Sequence, residues 1–329
     1  MKGAGASPTS ALEPKASPRS SLRGFIYIGV AALFWGMSAS LGRAAFNGHL
    51  WQGGAIRNVD PLILSQCRTS FSFLAVALGL LLRRGVKRLE LPWIDFAKLV
   101  LLGLGGVAVS NYFYYLAIQR TNVATAIIVQ YTAPVWVLVY MVVRRAERLT
   151  ATKLFSVLLA VAGIVLVIGL FGQSSLRFDR LGVAAALVAA FSFSYYNVGG
   201  HQLLLRYDRW MVLLYTTLAA SVFWIAVNPP SKIIAAHYPA PTWLFLAGFS
   251  FLSVLLPFTL YFAGLECLVP TKAVIVSCLE PVFAILIAAV ALKEIVAPLQ
   301  TLGIAMVLSA IVMTQRPGPD IQSIPGPID

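Results

Sequence analysis

The chain has 329 residues, of which 59% are apolar and 11% are charged. An ordinary soluble domain carries about 25% charged residues and cannot hide this much apolar surface from water. A disordered chain would need few apolar residues and many charges. The composition excludes both classes and predicts an integral membrane protein, with the lipid bilayer as its solvent.

The net charge of +13 would suggest nucleic-acid binding in a soluble protein. Here the Lys and Arg residues cluster in short loops between apolar segments, which is typical of the cytoplasmic flanks of membrane helices. We therefore expect no nucleic-acid partner. The three cysteines form no CxxC pair and the three histidines are far apart in sequence, so we expect neither a metal site nor a cofactor.

Ten segments are long and apolar enough to cross a bilayer, which takes about 20 residues of helix. The predicted fold class is thus all-α, with ten transmembrane helices joined by short connections. The predicted spans are 24–44, 61–83, 94–118, 121–145, 150–170, 179–202, 209–228, 241–265, 268–292 and 296–315. Residues 1–23 and 316–329, which are rich in Pro and other loop-forming residues, are predicted to be disordered tails.

Charge counting predicts the orientation. With the N-terminus in the cytoplasm, seventeen Lys and Arg residues fall on the side of the two termini and eight fall on the other side. Cytoplasmic loops carry the excess of basic residues. We expect both termini in the cytoplasm, and the protein in the cytoplasmic (inner) membrane of a bacterium.

The chain repeats itself. Tyr114 and Tyr261, and likewise Pro134 and Pro281, are 147 positions apart. This spacing predicts two five-helix repeats, at 24–170 and 179–315. Because five is odd, the second repeat enters the membrane from the opposite side, and such inverted repeats are widespread among secondary transporters, whose substrate site lies near the midplane between the halves.

Several short motifs occur in a defined order along the chain. The first span carries Leu33-Phe34-Trp35-Gly36, the second carries Arg68, and the ninth carries Leu279-Glu280-Pro281. Each half ends with a proline-containing helix, a glutamate and a Gly/Ala-rich apolar helix. This ordered set resembles the EamA-type branch of the drug/metabolite transporter superfamily over residues 24–315. The resemblance implies a ten-helix exporter of a small-molecule metabolite with a cavity between the halves, and it leaves the substrate unidentified.

Glu280 is the one acidic residue near the middle of a predicted span. A charge there costs about 2.5–3.5 kcal/mol even on the mildest scale, so such a residue normally faces a cavity or a partner. Our hypothesis is that Glu280 binds a cationic group or exchanges a proton as the site changes sides. The alternative is a protonated packing residue that is hydrogen-bonded to a neighbouring helix.

Arg68 is the basic residue that lies well inside a predicted span. It could pair with Glu280 or anchor a substrate carboxylate, and the alternative is a side chain that snorkels to the nearer membrane face. Pro134 and Pro281 are equivalent under the repeat and are each predicted to kink a helix, which would suit a rocking mechanism. A static kink that aids packing is the alternative.

Polar-tipped residues within the spans are predicted to point inward, because a hydroxyl or amide in lipid needs a partner. The predicted cavity residues of this kind, besides Arg68 and Glu280, are Trp35, Asn111, Tyr115, Gln130, Tyr131, Tyr196, Asn197, Tyr261 and Ser277. As a set they suggest an amphipathic ligand that resembles an amino acid. For any single residue, core packing or an interfacial position is the alternative.

The sequence favours a secondary transporter that exports a small metabolite by alternating access, with a proton as a candidate coupling ion. One alternative is a membrane-embedded enzyme, but the three histidines fall near the ends of spans or in loops, and the chain shows no metal-ligand spacing and no G-x-S-x-G motif. A receptor or scaffold is another alternative, and it does not explain the inverted repeat. No Walker A motif is present, so we expect no ATP hydrolysis by this chain.

Overall fold

A computed structural model of the chain describes residues 18–46, 59–85, 90–168, 179–292 and 295–315. Every regular element in these ranges is helical. The first half comprises α1 (Pro18–Phe46), α2 (Pro61–Arg84), α3 (Trp93–Leu102), α4 (Val109–Arg120), α5 (Val123–Gln130), α6 (Ala133–Val143) and α7 (Ala151–Val167). The second half comprises α8 (Arg180–Leu204), α9 (Arg209–Val227), α10 (Pro230–Ala235), α11 (Ala240–Ser250), α12 (Leu256–Leu265), α13 (Pro270–Ser277), α14 (Leu279–Leu292) and α15 (Pro298–Gln315).

These helices form the predicted spans. Among the described residues, nine continuous or interrupted helices are long and apolar enough to cross a membrane, and α7 is a tenth apolar helix of 17 residues. The predicted all-α class is therefore confirmed. Two details add to or differ from the prediction: α1 already begins at Pro18, within the predicted tail, and the short helix α10 lies in the connection between the predicted spans 209–228 and 241–265. Residues 1–17 and 316–329 of the predicted tails lie outside the described residues.

Aspartate caps open the second helix of each half. One Oδ1 atom of Asp60 accepts hydrogen bonds from the backbone N–H groups of Leu62 and Ile63, at 2.7 and 3.1 Å. Asp208 caps α9 in the same way through Trp210 and Met211. The caps satisfy N–H groups that lack a partner within the helix, so each of these helices has a sharply defined start.

Two spans in each half are irregular. The third and eighth spans each contain a π-helical turn, at Gly103–Ala108 between α3 and α4 and at Phe251–Leu255 between α11 and α12. The fourth span breaks at Tyr131 and Thr132 between α5 and α6, and the ninth breaks at Cys278 between α13 and α14. Tyr131 and Cys278 are 147 positions apart, so the breaks are equivalent under the repeat.

The halves make equivalent contacts with one another. A Cβ atom added to Gly24 would lie 2.7 Å from Leu268 Cγ, and one added to Gly182 would lie 2.5 Å from Thr121 Cγ2. Thr121 and Leu268 are again 147 positions apart. Close approach of this kind needs small residues, as is usual between membrane helices. The spans α7 and α15 likewise meet at a pair of glycines, Gly163 and Gly303.

Candidate functional site

Arg68 projects from α2 toward the beginning of α4. Its Nη2 donates a hydrogen bond of 2.9 Å to Asn111 Oδ1, and Asn111 Nδ2 donates in turn to the Val107 carbonyl at 2.7 Å. The second bond fixes the amide so that its oxygen faces the guanidinium. Arg68 is therefore held in place by a hydrogen bond to a neutral residue, and a guanidinium is well suited to bind an anionic group.

Glu280 lies at the break of the ninth span, in the first turn of α14. It is deep in the bundle but keeps part of its surface accessible, so it faces space between the helices. The Tyr131 hydroxyl donates a hydrogen bond to its carboxylate, and Arg68 lies close enough to act on it electrostatically. The two helix breaks thus meet at a tyrosine–carboxylate contact, and a helix N-terminus stabilises the negative charge.

The residues around Arg68 and Glu280 form what we term the polar cluster. Tyr114 lies within electrostatic range of both charges and of Tyr115. Tyr115 accepts a 2.8 Å hydrogen bond from the Ser65 hydroxyl. The polar cluster comprises Arg68, Asn111, Tyr114, Tyr115, Tyr131 and Glu280. Its positive charge comes from the first half and its negative charge from the second.

A group of packed rings, the aromatic cluster, adjoins the polar cluster. The Trp35 ring lies 5.2 Å from Phe258 and 5.3 Å from Tyr261, measured between centroids. Tyr196 lies 5.8 Å from Phe258 and also packs on Phe262. The Tyr261 hydroxyl donates to Asn197 Oδ1, so this buried tyrosine is satisfied. The aromatic cluster comprises Trp35, Tyr196, Phe258, Tyr261 and Phe262.

A narrow cavity lies between the two clusters and is lined by residues of both. Its lining residues come from both halves: Arg68, Thr69, Val107, Asn111, Tyr196, Leu213, Thr217, Val254 and Phe258. The lining includes a guanidinium and an amide together with apolar and aromatic side chains. These groups are complementary to a ligand that has an anionic end and an apolar part.

The other predicted residues lie near the helix breaks. Gln130 ends α5 and Ser277 ends α13, each directly before a break. Neither side chain hydrogen-bonds to another predicted site residue in the part of the chain that the structure describes, and the Ser277 hydroxyl donates to the Val274 carbonyl at 2.8 Å. Pro134 and Pro281 follow the breaks and lie in the first turns of α6 and α14, where a missing backbone N–H costs little.

Sequence reasoning missed part of the cavity wall. Phe258, Thr217 and Val254 line the cavity but were not predicted to do so. The repeat contained the signal, because Phe258 is the equivalent of Asn111 and Val254 is the equivalent of Val107 at the 147-residue spacing. In the second helix of each half the spacing is 148, as for the caps Asp60 and Asp208, so Thr216 is the equivalent of Arg68. The second half therefore carries no copy of the Arg68–Asn111 pair: Thr216 and Phe258 stand there instead.

A second buried charge pair lies away from the cavity. The Lys153 ammonium is 2.9 Å from Glu147 Oε2, and both side chains are at least nine-tenths buried. Arg145 adopts a left-handed backbone conformation, with φ of 55°, at the end of α6, and the chain then turns inward so that Ala146 and Glu147 are buried. The sequence placed Glu147 in a connection between spans, and nothing in its pattern indicated burial.

Two halves of membrane-crossing helices that enclose a charged cavity at their junction define a membrane transport protein. The sequence agrees, since a sequence model of the EamA-like transporter family matches residues 22–169 and matches again at residues 180–316. The chain belongs to the EamA-like transporter family. The resemblance noted in the sequence is thereby confirmed, and the protein is an integral membrane transporter of a small-molecule substrate.

Proteins similar in sequence to this chain include transporters from bacteria and archaea. The chain is 22% identical over 297 residues to the uncharacterized inner membrane transporter YicL of Salmonella typhimurium, covering 89% of this chain and 95% of the relative. It is 27% identical over 273 residues to the threonine/homoserine exporter RhtA of Escherichia coli, covering 79% and 85%. A solved crystal structure with 20% identity covers 90% of this chain and 96% of its own, with a TM-score of 0.70, which supports the fold.

Proposed function

We propose that this protein exports a small zwitterionic metabolite, of the amino-acid type, by alternating access between its two halves. The observation that carries the proposal is that Arg68 from the first half and Glu280 from the second half lie within electrostatic range of one another in the polar cluster. A zwitterion matches this pair, with its carboxylate at Arg68 and its ammonium at Glu280. The similarity to a threonine/homoserine exporter supports the same substrate class.

In this proposal each charged end of the substrate binds to a different side chain. Asn111 orients the Arg68 guanidinium, which binds the substrate carboxylate. Tyr131 holds Glu280 when the site is empty, and the substrate ammonium or a proton takes that place during the cycle. The apolar wall formed by Tyr196, Val254 and Phe258 receives the remainder of the substrate. Arg68 and Glu280 have opposite charges and a zwitterion has no net charge, so the loaded site carries no net charge when it changes from one membrane face to the other.

The proposed placement is the cytoplasmic membrane of a bacterium with both termini in the cytoplasm. The distribution of Lys and Arg residues supports it. The printed name of the Salmonella relative, an inner membrane transporter, supports the choice of membrane. Reporter fusions at each terminus test it: active cytoplasmic reporters at both ends are expected, and reporters that place the termini on opposite faces would contradict it.

Transport by purified protein in liposomes is the decisive experiment. Labelled neutral, acidic and basic amino acids, a sugar and a nucleoside are offered with and without a pH gradient. We expect a neutral amino acid to cross chemically unchanged, and Arg68→Ala and Glu280→Gln each to lower its flux at least about tenfold, a loss of ~1.4 kcal/mol. Exposed charges provide matched controls, since Arg180→Ala and Glu266→Gln should stay within about twofold of the parent.

Two outcomes would overturn parts of the proposal. Flux of the sugar or the nucleoside alone, with unchanged rates in Arg68→Ala, would refute the zwitterion as substrate. If Glu280→Gln transports as well as the parent from roughly pH 6 to pH 8, with the same dependence on the pH gradient, then Glu280 carries no proton. Conversion of the offered compound into another chemical species would instead indicate an enzyme.

A further inference from the structure

The two π-helical turns occupy equivalent places in the two halves. The backbone N–H of Val109 bonds to the Leu104 carbonyl, and that of Leu256 bonds to the Phe251 carbonyl, each five residues back along the chain. Both bonds therefore recur at the 147-residue spacing. π-Helices make up well under about 1% of residues in globular proteins and are frequent at functional sites. Retention of one in both repeats calls for a common cause.

Local sequence does not supply that cause. One turn reads Gly-Leu-Gly-Gly-Val-Ala and the other Phe-Leu-Ser-Val-Leu, and Val107 and Val254 are the single identity at the 147-residue spacing. A glycine-rich segment and a segment of bulky apolar residues have different intrinsic preferences. The shared winding is thus imposed by what the two segments pack against.

Each π-turn begins where its span crosses the opposite half. A Cβ atom on Gly103 would lie 2.5 Å from the Thr216 carbonyl oxygen of α9. At the equivalent place Ser250, directly before the other π-turn, donates a 2.6 Å hydrogen bond to the Arg68 carbonyl of α2. Thr216 and Arg68 are themselves equivalent, 148 positions apart. Both π-turns therefore lie at the junction of the halves, and the second begins beside the backbone of the site residue Arg68.

Each π-turn also faces the cavity. Val107 and Val254 belong to the π-turns and line the cavity, and one helical turn further on Asn111 and Phe258 line it as well. When a π-turn migrates along a helix, the residues that it passes are rotated by about 100° while the ends of the helix stay in place. Migration from Gly103–Ala108 toward α4 would turn Asn111 away from the Arg68 guanidinium, to which it is now bonded.

We propose that the two π-turns are the points at which the third and eighth spans change winding when the cavity switches from one membrane face to the other. The inference rests on the proposed alternating access. The change of winding alters the site in both halves. In the first half Arg68 loses its hydrogen bond to the positioning residue Asn111, and in the second half the Phe258 ring rotates to a different direction. The halves thus exchange conformations through equivalent backbone changes but move unlike side chains.

Removing the extra residue of each π-turn tests the proposal. Deletion of Gly105 alone, or of Leu252 alone, converts the turn to α-winding and leaves the flanking helices on their present faces. Gly248→Ala is the matched control, because it stiffens the same span directly before the second π-turn and its added Cβ would meet nothing within 4 Å. Folding of each variant is checked by gel filtration and by the thermal midpoint in detergent.

The readout needs no substrate. Cys67 and Cys267 are replaced by alanine, so that Cys278, buried at the break beside Glu280, is the remaining thiol. A membrane-impermeant methanethiosulfonate cation is added to either face of vesicles. We expect the parent and Gly248→Ala to be modified from both faces, and each deletion variant to be modified at least about tenfold more slowly from one face than from the other.

Modification of both deletion variants from both faces at the parental rate would overturn the inference. A parent that is modified from one face alone would instead refute the proposed alternating access, so the two failures are distinguishable. If the deletion variants do not fold, the rate of amide hydrogen exchange in the parent protein tests the inference instead. The amides of 103–109 and 251–256 should exchange about tenfold faster than those of the preceding turns in the same spans, and equal protection would count against the π-turns as switch points.

Discussion

Gly36 of α1 packs so closely on Glu280 that a Cβ atom on the glycine would lie 2.8 Å from the Glu280 carbonyl oxygen. The equivalent contact in the other half joins the Ser194 hydroxyl to the Ala133 carbonyl at 3.2 Å. Both contacts join the two halves directly after a helix break. The position of the candidate carboxylate is thus set by the first helix as well as by its own.

Gly36→Ala should therefore disturb the site. The added methyl group collides with backbone atoms of α14, which cannot rotate away, and we expect a loss of about 1–3 kcal/mol in stability together with at least a tenfold lower flux. Gly29→Ala, on the same helix, is the control, since its Cβ would lie 3.9 Å from Leu279 Cδ1 in ordinary contact. Thermal unfolding in detergent and liposome flux measure the effects, and a Gly36→Ala protein that matches Gly29→Ala would contradict the prediction.

Asn111 offers a test of the charge at Arg68. Asn111→Asp would place a carboxylate where the amide oxygen now accepts from Nη2 at 2.9 Å, and it would compete with the anionic end of the substrate. Asn111→Leu removes the hydrogen bond but adds no carboxylate beside the guanidinium. We expect the KM of the transported amino acid to rise more in Asn111→Asp than in Asn111→Leu, by about tenfold. The reverse order would show that Arg68 does not bind an anion.

The buried pair of Glu147 and Lys153 should be important for stability. Lys153→Met leaves a buried carboxylate without its ammonium, which typically costs about 3–5 kcal/mol. The double variant Glu147→Gln with Lys153→Met removes both charges, and we expect it to recover most of that loss. Thermal midpoints of the two single variants and the double variant provide the comparison, and additive losses in the double variant would show that the two side chains do not interact energetically.

The contact between Tyr207 and Asp95 joins the connection after α8 to α3 in the opposite half. The Tyr207 hydroxyl donates a 2.6 Å hydrogen bond to Asp95 Oδ2, and this bond raises the pKa of Tyr207 above its usual value. A hydrogen bond to a charged group contributes about 1.5–3 kcal/mol, so Tyr207→Phe should lower stability by an amount in or below this range.

The pH dependence of that loss follows from the sign of the shift. Because the pKa of Tyr207 is higher in the folded protein than in the unfolded chain, the contribution is complete from neutral pH, where Asp95 is ionised, to roughly pH 10, and it declines as the pH rises further. The difference in thermal midpoint between the parent and Tyr207→Phe should be constant from neutral pH to about pH 9 and then shrink. Tyr27→Phe, at an exposed position on α1, serves as the control. A difference that grows above pH 10 would contradict this assignment.

Much of the fold follows from sequence patterns that act locally. Apolar run length places the spans to within a few residues, as for 61–83 against Pro61–Arg84. Proline marks a helix start because its missing N–H group costs little there, and aspartate because its carboxylate accepts hydrogen bonds from the first N–H groups, as at Pro61 and Asp60. The 147-residue repeat predicts which residues are equivalent, and the equivalent contacts of Gly24 and Gly182 agree with it.

Features that depend on packing between the halves were not predictable. The π-turns occur in two segments of unlike composition, so no local pattern marks them. The burial of Glu147 depends on the turn at Arg145 and on a partner supplied by α7. At the site, the candidate residues were identified by residue type, and the structure brings Arg68, Asn111, Tyr131 and Glu280 together. Their roles in transport stay a prediction, because a polar side chain in a membrane span serves packing as readily as binding.

The unequal placement of charge has a consequence for energetics. Ala133 stands where the second half has Glu280, and Thr216 stands where the first half has Arg68. Exchanging the conformations of the two halves therefore yields a molecule that is not related to the original by a two-fold rotation in the membrane plane. Even in a membrane with equal solutions on both sides, the two resting shapes of the protein must differ in free energy, and one of them will be the more populated.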